Sequence, residues 1–246
     1  MAEVLLREDA GGLCRLTLNR PDKLNALNSA IFERLDTELA DIEAKRGSIG
    51  CVVLNGAGRS FCAGADLEEF AGSDSLDTLA KARVVERLSN LAQPVIAMVH
   101  GHCLTGGLEL ALAADIIVTA ESATFGDTHG KWGFIGTWGM TQRLPRRVGR
   151  SFASLMMFSA QRVAAPEAFR VGLADICVPD EELAAEVERL TSDILANSWH
   201  SLFGTKQLLA ESEGMPLAHG LAHEYYRNAG PAPDWRERVQ RFTRRT

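Results

Sequence analysis

Apolar positions along the chain recur at two spacings. Cys14, Leu16 and Leu18 alternate with Arg15, Thr17 and Asn19, which predicts a half-buried strand ending before Pro21. Phe32, Leu35, Leu39 and Ile42 then recur at helical spacing over 29–45, with Asn28 or Ser29 placed to cap. Residues 51–54 form a short apolar run, a buried strand that opens into the glycine-containing turn NGAGRSFCAGADL. A helix over 76–92 aligns Leu79, Ala82, Val85 and Leu88 on one face. Pro94 breaks it, 95–99 reads as a second buried strand, 100–105 as a turn, and 108–114 as a buried helix opened by Gly106 and Gly107. Extended segments follow over 116–119 and 123–125, then 126–144, too rich in glycine for regular structure. From Ser151 the pattern turns helical, over 151–159, 166–171, 181–197, 199–213, 216–228 and 234–244, with one short strand near Ile176. Alternating short strands and helices predict an α/β core, and a composition shift near residue 195 divides it from a helical C-terminal region, 1–195 and 196–246.

One residue breaks the pattern. Glu109 falls one turn inside the apolar helix, walled by Leu108, Leu110 and Leu112. Desolvation there favours the neutral carboxyl and raises its pKa, which suits proton transfer. The alternative is that it only complements the helix dipole, worth about 0.3–1 kcal/mol. Glycines at the preceding turn let backbone N–H groups approach a ligand. The segment Ala63, Gly64, Ala65 repeats the arrangement after the strand at 51–54. If the strands at 51–54 and 95–99 are neighbours, one N–H from each turn can converge on a carbonyl oxygen as an oxyanion hole; taken alone, the second turn is a tight loop.

The 246 residues, 46% hydrophobic, suffice for one full core with or without an appendage. A net charge of −6 gives no support for a nucleic-acid or anionic-membrane partner. Most of the cluster Arg143, Arg146, Arg147 and Arg150 and of the basic tail from Arg236 to Arg245 reads as solvated helix faces. The start MAEVLLREDAGG lacks a secretory signal and no apolar run has membrane-spanning length, so a cytoplasmic protein is expected. Five scattered cysteines, Cys14, Cys51, Cys62, Cys103 and Cys177, predict reduced thiols. His219 and His223 lie four apart without a third ligand, and no metal is expected.

Several motifs in order, NRPDKLNALN (19–28), FCAGADL (61–67), HGHCLTGGLELALAADI (100–116), FGDTHGKWGF (125–134) and TQRLPRRVG (141–149), resemble the enoyl-CoA hydratase/isomerase (crotonase) superfamily over nearly the whole chain. The resemblance implies an α/β fold, a crotonase-like spiral of repeated ββα units with a C-terminal helical trimerisation region, assembled as a homotrimer or homohexamer. It also implies an acyl-CoA thioester substrate, with coenzyme A arriving as part of that substrate and no permanently bound cofactor. Carried over by position, the oxyanion donors are the N–H groups of Ala65 and Gly106, and the base that activates water is Glu109. A second glutamate normally protonates the α-carbon, and His129 occupies its position here, with Asp127 a less favoured substitute. An imidazole with an ordinary pKa near 6.5 can donate that proton. The alternative is that His129 only hydrogen-bonds its loop or pairs with Glu109.

The resemblance places Lys23, Ala26 and Leu27 beside the adenine and pantetheine, and the backbone of Ala63, Asp66 and Leu67 along the thioester end. Trp132 and Trp138 fall near the acyl pocket, where they restrict the chain, stack on a ring, or simply pack in the core. Glu68 and Glu69 replace a basic residue that commonly meets phosphate, and Arg238 replaces a glycine of the C-terminal signature, so Arg244 or Arg245 is expected to take over tail contacts. The leading expectation is a hydro-lyase that hydrates a trans-2-enoyl-CoA. Loss of the acid at 129 counts against ordinary double-bond migration. A hydrolase, decarboxylase or C–C lyase using His129 is the alternative, and a noncatalytic CoA-binding or nucleic-acid-binding relative is a third.

Overall fold

A computed structural model describes residues 3–71 and 78–244. Its main sheet has the order β1 (Leu5–Ala10), β2 (Leu13–Leu18), β3 (Cys51–Gly56), β4 (Val95–Val99), β6 (Ile116–Ala120) and β9 (Ile176–Val178). Only β1 runs antiparallel to its neighbour; each later strand is parallel to the one before. A second, three-stranded sheet joins β5 (His102–Leu104), β7 (Thr124–Gly126) and β8 (Arg162–Ala164). Successive turns of the chain place one strand in each sheet: β4 is followed by β5, and β6 by β7. The pattern extends backwards through isolated bridges, Cys62 beside Cys103 and Leu27 beside Ala65. This is the expected spiral of ββα units.

Residues 51–54 of β3 and the whole of β4 are apolar because both faces are covered. Val52, Leu54, Val95 and Ala97 face the main core, with α1 (Ser29–Ala44), α4 (Gly106–Leu112) and α5 (Met140–Ser159) contributing Phe32, Leu35, Leu108 and Leu144. Cys51, Val53, Ile96 and Val118 face Leu183 and Val187 of α7 (Leu183–Ala196) instead. The remaining helices are α2 (Leu67–Ala71), α3 (Thr78–Asn90), α6 (Ala165–Arg170), α8 (Trp199–Ser212), α9 (Leu217–Arg227) and α10 (Trp235–Thr243). The α8 helix is tied down by Trp199, whose ring fills the space where side chains on Gly12 and Gly50 would sit, and by Lys206, whose Nζ donates to Gln93 O at 3.0 Å and Asp115 Oδ2 at 2.6 Å. Beyond it, Leu217, Leu221, Tyr225, Tyr226 and Phe242 are exposed.

Several expectations need correction. Residues 100–105 are not only a turn: Gly101, at φ 57 and with no room for a side chain against Arg59 O, bends the chain between β4 and β5. The helix expected from 108 begins at Gly106. The glycine-rich stretch 126–144 contains a short helical turn, His129–Trp132, and the first residues of α5, which is kinked at Gly149. Gly139, at φ 117, stands outside that helix as its cap, so it does not break it. Leu79 is exposed on α3, whose buried face carries Val84, Val85 and Leu88; positions 76 and 77 lie outside the described residues. Arg143 and Arg147 are only partly solvated. Arg143 donates to Trp138 O and Ser89 Oγ, and Arg147 to Leu173 O, Asp115 O and Asp175. Each ties a helix face to a neighbouring loop.

Candidate active site

Two turns meet because β3 and β4 are paired. Buried Asn25 holds the exit of β3: its amide donates to Ala57 O and Ser60 O while its Oδ1 accepts from the Arg20 N–H. Gly64 follows at φ 108, and Leu27 then pairs with the loop, donating to Gly64 O at 2.8 Å and accepting from the Asp66 N–H at 2.9 Å. In such a parallel bridge the central residue turns its own N–H away from the partner. The Ala65 N–H accordingly has no acceptor among the described residues. At the other turn, Thr105 adopts φ 50, unusual for a β-branched residue, and is held by Gly126 O and by a 2.6 Å contact between its hydroxyl and that of Thr128. Gly106 opens α4 with an N–H that also lacks an acceptor. A β-carbon on Gly106 would lie 3.5 Å from the Ala65 nitrogen and 2.5 Å from Trp138 Cζ3. The two free donors are adjacent, and a side chain has no room there.

One turn along α4, Glu109 is 1% exposed. Its Oε1 accepts from the N–H groups of Trp138 (2.9 Å) and Met140 (3.0 Å), capping the start of α5. Its Oε2 has no hydrogen-bond partner among the described residues. Burial raises the Glu109 pKa, opposed by the His129 charge and the two N–H groups. His129 Nε2 lies 3.7 Å from that free oxygen. Its Nδ1 is 2.6 Å from Asp127 Oδ1, which also accepts the His129 backbone N–H at 3.0 Å. Burial works against the charged imidazole, but the Asp127 bond and the charges of Asp127 and Glu109 outweigh it, so the His129 pKa is raised.

These groups open on a cavity of about 250 Å³. Ala63, Ala65, Leu67, Gly106, Glu109, His129, Trp132 and Trp138, all singled out in the sequence, wall it. Lys23, Ala26, Leu27 and Asp66 do not. Lys23 pairs with Glu68 at 2.8 Å, and Asp66 with Arg20 at 2.8 Å; Ala26 O accepts from the Arg20 guanidinium, and Leu27 is fully buried. In this structure they hold the 63–66 loop in place. Glu69 accepts from Ser29 at the start of α1. Trp138 is a core residue, edge-on to Phe32 with ring centroids 4.9 Å apart, whereas Trp132 is 55% exposed at the mouth. Sequence reasoning missed Thr105, Lys131, Phe134, Ile135, Thr137 and Arg162 as lining residues. A larger hollow of about 820 Å³ between α1 and α3 is lined in part by an ion-paired cluster, Arg87 with Asp36 and Glu43. It offers no chemistry comparable to the smaller cavity.

Among the described residues no group of three or more His, Cys, Asp and Glu is placed to hold a metal ion. On the tail, Arg238 pairs with Asp234 at 2.8 Å, Arg244 follows α10, and Arg245 lies outside the described residues.

The sequence profile of enoyl-CoA hydratase/isomerase matches residues 8–233. The chain is 39% identical over 211 residues to 2,3-dehydroadipyl-CoA hydratase of Escherichia coli K12, covering 85% of this chain and 82% of the relative. It is 34% identical over 225 residues to short-chain-enoyl-CoA hydratase of Clostridium acetobutylicum, covering 89% and 86%. The crystal structure of enoyl-CoA hydratase from Bacillus anthracis superposes with a TM-score of 0.92 at 32% identity, over 98% of this chain and 96% of that one. With the motifs, the spiral of ββα units and these likenesses in agreement, the chain belongs to the enoyl-CoA hydratase/isomerase family.

Proposed function

We propose that this protein is an enoyl-CoA hydratase, a hydro-lyase that adds water across the double bond of a trans-2-enoyl-CoA. The observation that carries the reading is the adjacency of two unpaired backbone N–H groups, on Ala65 and Gly106, one helical turn from a buried carboxylate with a free oxygen. The thioester oxygen sits between the two donors, which are fixed before substrate arrives and stabilise the enolate-like charge that develops on addition. Glu109 takes a proton from water through Oε2 as the oxygen attacks the β-carbon. His129 supplies a proton to the α-carbon through Nε2. The raised pKa values suit these roles, since a base must retain affinity for the proton it gains and an acid must start protonated.

Coenzyme A enters as part of the substrate, and no permanent cofactor is required. Leu67, Trp132 and Trp138 shape the acyl and thioester end with the backbone of Ala63, while Asp66, outside the cavity wall, braces the loop beside it, and Lys23, Ala26 and Leu27 lie towards the nucleotide. Residues 1–195 carry the site. The exposed Leu217, Leu221, Tyr225 and Phe242 of 196–246 supply apolar surface for a homotrimer or homohexamer. No helix among the described residues is long and apolar enough to cross a membrane, and we place the enzyme in the cytoplasm.

Because His129 replaces the usual second carboxyl, hydrolysis, decarboxylation or C–C cleavage of another acyl-CoA is the competing reading. Turnover of crotonyl-CoA by the wild type, His129→Ala and His129→Glu separates them. An active wild type crippled by His129→Ala supports hydration with an imidazole acid. An inert wild type that gains hydratase activity as His129→Glu moves the natural chemistry elsewhere.

A further inference from the structure

We propose that Asp127 is a positioning residue that orients the His129 imidazole so that Asp127, His129 and Glu109 act as one proton relay. Asp127 follows β7 directly, is 4% exposed, and is not among the residues walling the cavity. It reaches the reaction only through His129. Its Oδ1 accepts from both the backbone N–H and Nδ1 of that residue, at 3.0 and 2.6 Å, closing a small ring that fixes the loop and the side chain together. Gly136 closes the other side: a β-carbon there would lie 3.0 Å from His129 Cε1 and 3.2 Å from Nδ1. Thr128 ties the same loop to the oxyanion turn through Thr105.

With Nδ1 committed to Asp127, Nε2 is the ring atom left to face Glu109. The gap of 3.7 Å to Oε2 is too long for a hydrogen bond, and neither Nε2 nor Oε2 has another partner among the described residues. The proton count then closes on itself. The water oxygen bonds to the β-carbon and its proton goes to Glu109 Oε2, while the Nε2 proton goes to the α-carbon. Both groups are left neutral, and transfer of the proton from Oε2 to Nε2 restores carboxylate and imidazolium. Asp127 keeps its charge throughout. That charge offsets the burial that opposes a charged imidazole, with Glu109 3.7 Å from Nε2 acting in the same direction; Lys131 and Arg162 wall the same cavity, and Arg143 is bonded to Trp138 O.

The chemistry rests on the hydratase reading, but the orientation does not, so the test reads both. The full-length Asp127→Asn variant is compared with wild type in the pH profile of crotonyl-CoA turnover and, without substrate, in the titration of 15N-labelled His129, assigned with His129→Gln. The expected result is an alkaline limb and a His129 midpoint that both move down by about one pH unit, with kcat about tenfold lower at a pH above both midpoints and KM within about twofold. Asp127→Glu, which keeps the charge, is expected to hold the midpoint near wild type. An unchanged His129 midpoint in Asp127→Asn, with activity lost equally at every pH, would overturn the relay. A shifted midpoint in a protein that hydrates no enoyl-CoA would support the orientation and refute the hydratase reading.

Discussion

Glu109→Gln isolates proton transfer from structure. The amide keeps the side-chain volume and an oxygen to accept the Trp138 and Met140 N–H groups at 2.9 and 3.0 Å, so the start of α5 stays capped. It cannot take a proton from water. Removing a positioned general base costs on the order of 10²–10⁴ in rate, about 2.7–5.4 kcal/mol of transition-state stabilisation. Stability should move the other way. Because the fold raises the Glu109 pKa, it binds that proton more tightly than the unfolded chain does. Its favourable contribution is therefore present below the ordinary carboxylate range and lost as pH rises through the raised value. Glutamine has no such loss, so the variant's unfolding free energy should equal or exceed wild type at pH 7, and the difference should shrink on acidification. Glu109→Ala instead strands two buried N–H donors and should cost about 2–5 kcal/mol. The assays are loss of enoyl-thioester absorbance with crotonyl-CoA and urea unfolding between pH 4 and pH 8. A Glu109→Gln enzyme within threefold of wild-type kcat would refute the base assignment, and one unfolding at markedly lower urea would refute the capping argument.

Gly106→Ala places a methyl 2.5 Å from Trp138 Cζ3, so either the indole or the turn must shift; kcat/KM should fall roughly 10²–10³, with a drop in melting temperature, and unchanged kinetics would show the turn to be slack. Arg143→Met removes donors to Trp138 O (2.9 Å) and Ser89 Oγ (3.0 Å) and should cost about 1–3 kcal/mol in urea unfolding while loosening the loop that holds Glu109, seen as a lower kcat. Lys206→Met breaks the 2.6 Å pair with Asp115 and the bond to Gln93 O; hydrogen exchange should quicken in α8, with about 1–3 kcal/mol lost, and exchange rates like wild type would mean that Trp199 alone docks the helix.

The strands and helices with strong period were legible. Cys14, Leu16 and Leu18, and Phe32, Leu35, Leu39 and Ile42, are all buried as their spacing requires. What the pattern hid is short or depends on partners distant in sequence. The three-residue β5 has too few positions to show alternation, and its neighbour β7 arrives some twenty residues later. The start of α5 is masked by flanking glycines and Pro145, yet it is secured by Glu109, a residue on another helix. Leu79 matched the helical period but sits at the solvent edge of the stripe. For the site, Glu109 betrayed itself by being a carboxylate in an apolar run, and the paired turns followed once β3 and β4 were neighbours. Asp127 offered no comparable signal. Its value lies in a bond to a side chain two residues on, which spacing alone does not distinguish from a loop contact. Arg143 and Arg147 likewise looked like surface charge, because Ser89 Oγ, Leu173 O and Asp115 O, which accept from them, are distant in sequence.

The central claim, addition of water to a trans-2-enoyl-CoA, is tested most directly by incubating the wild type with crotonyl-CoA in ¹⁸O-labelled water and locating the label by mass spectrometry. Hydration predicts loss of the conjugated thioester, an intact CoA ester one labelled water heavier, and the label on the acyl chain at the β-carbon. Free CoA with the label in a carboxylate would identify a thioester hydrolase and contradict the account, as would an unlabelled thioester across short, long and aryl enoyl-CoA substrates.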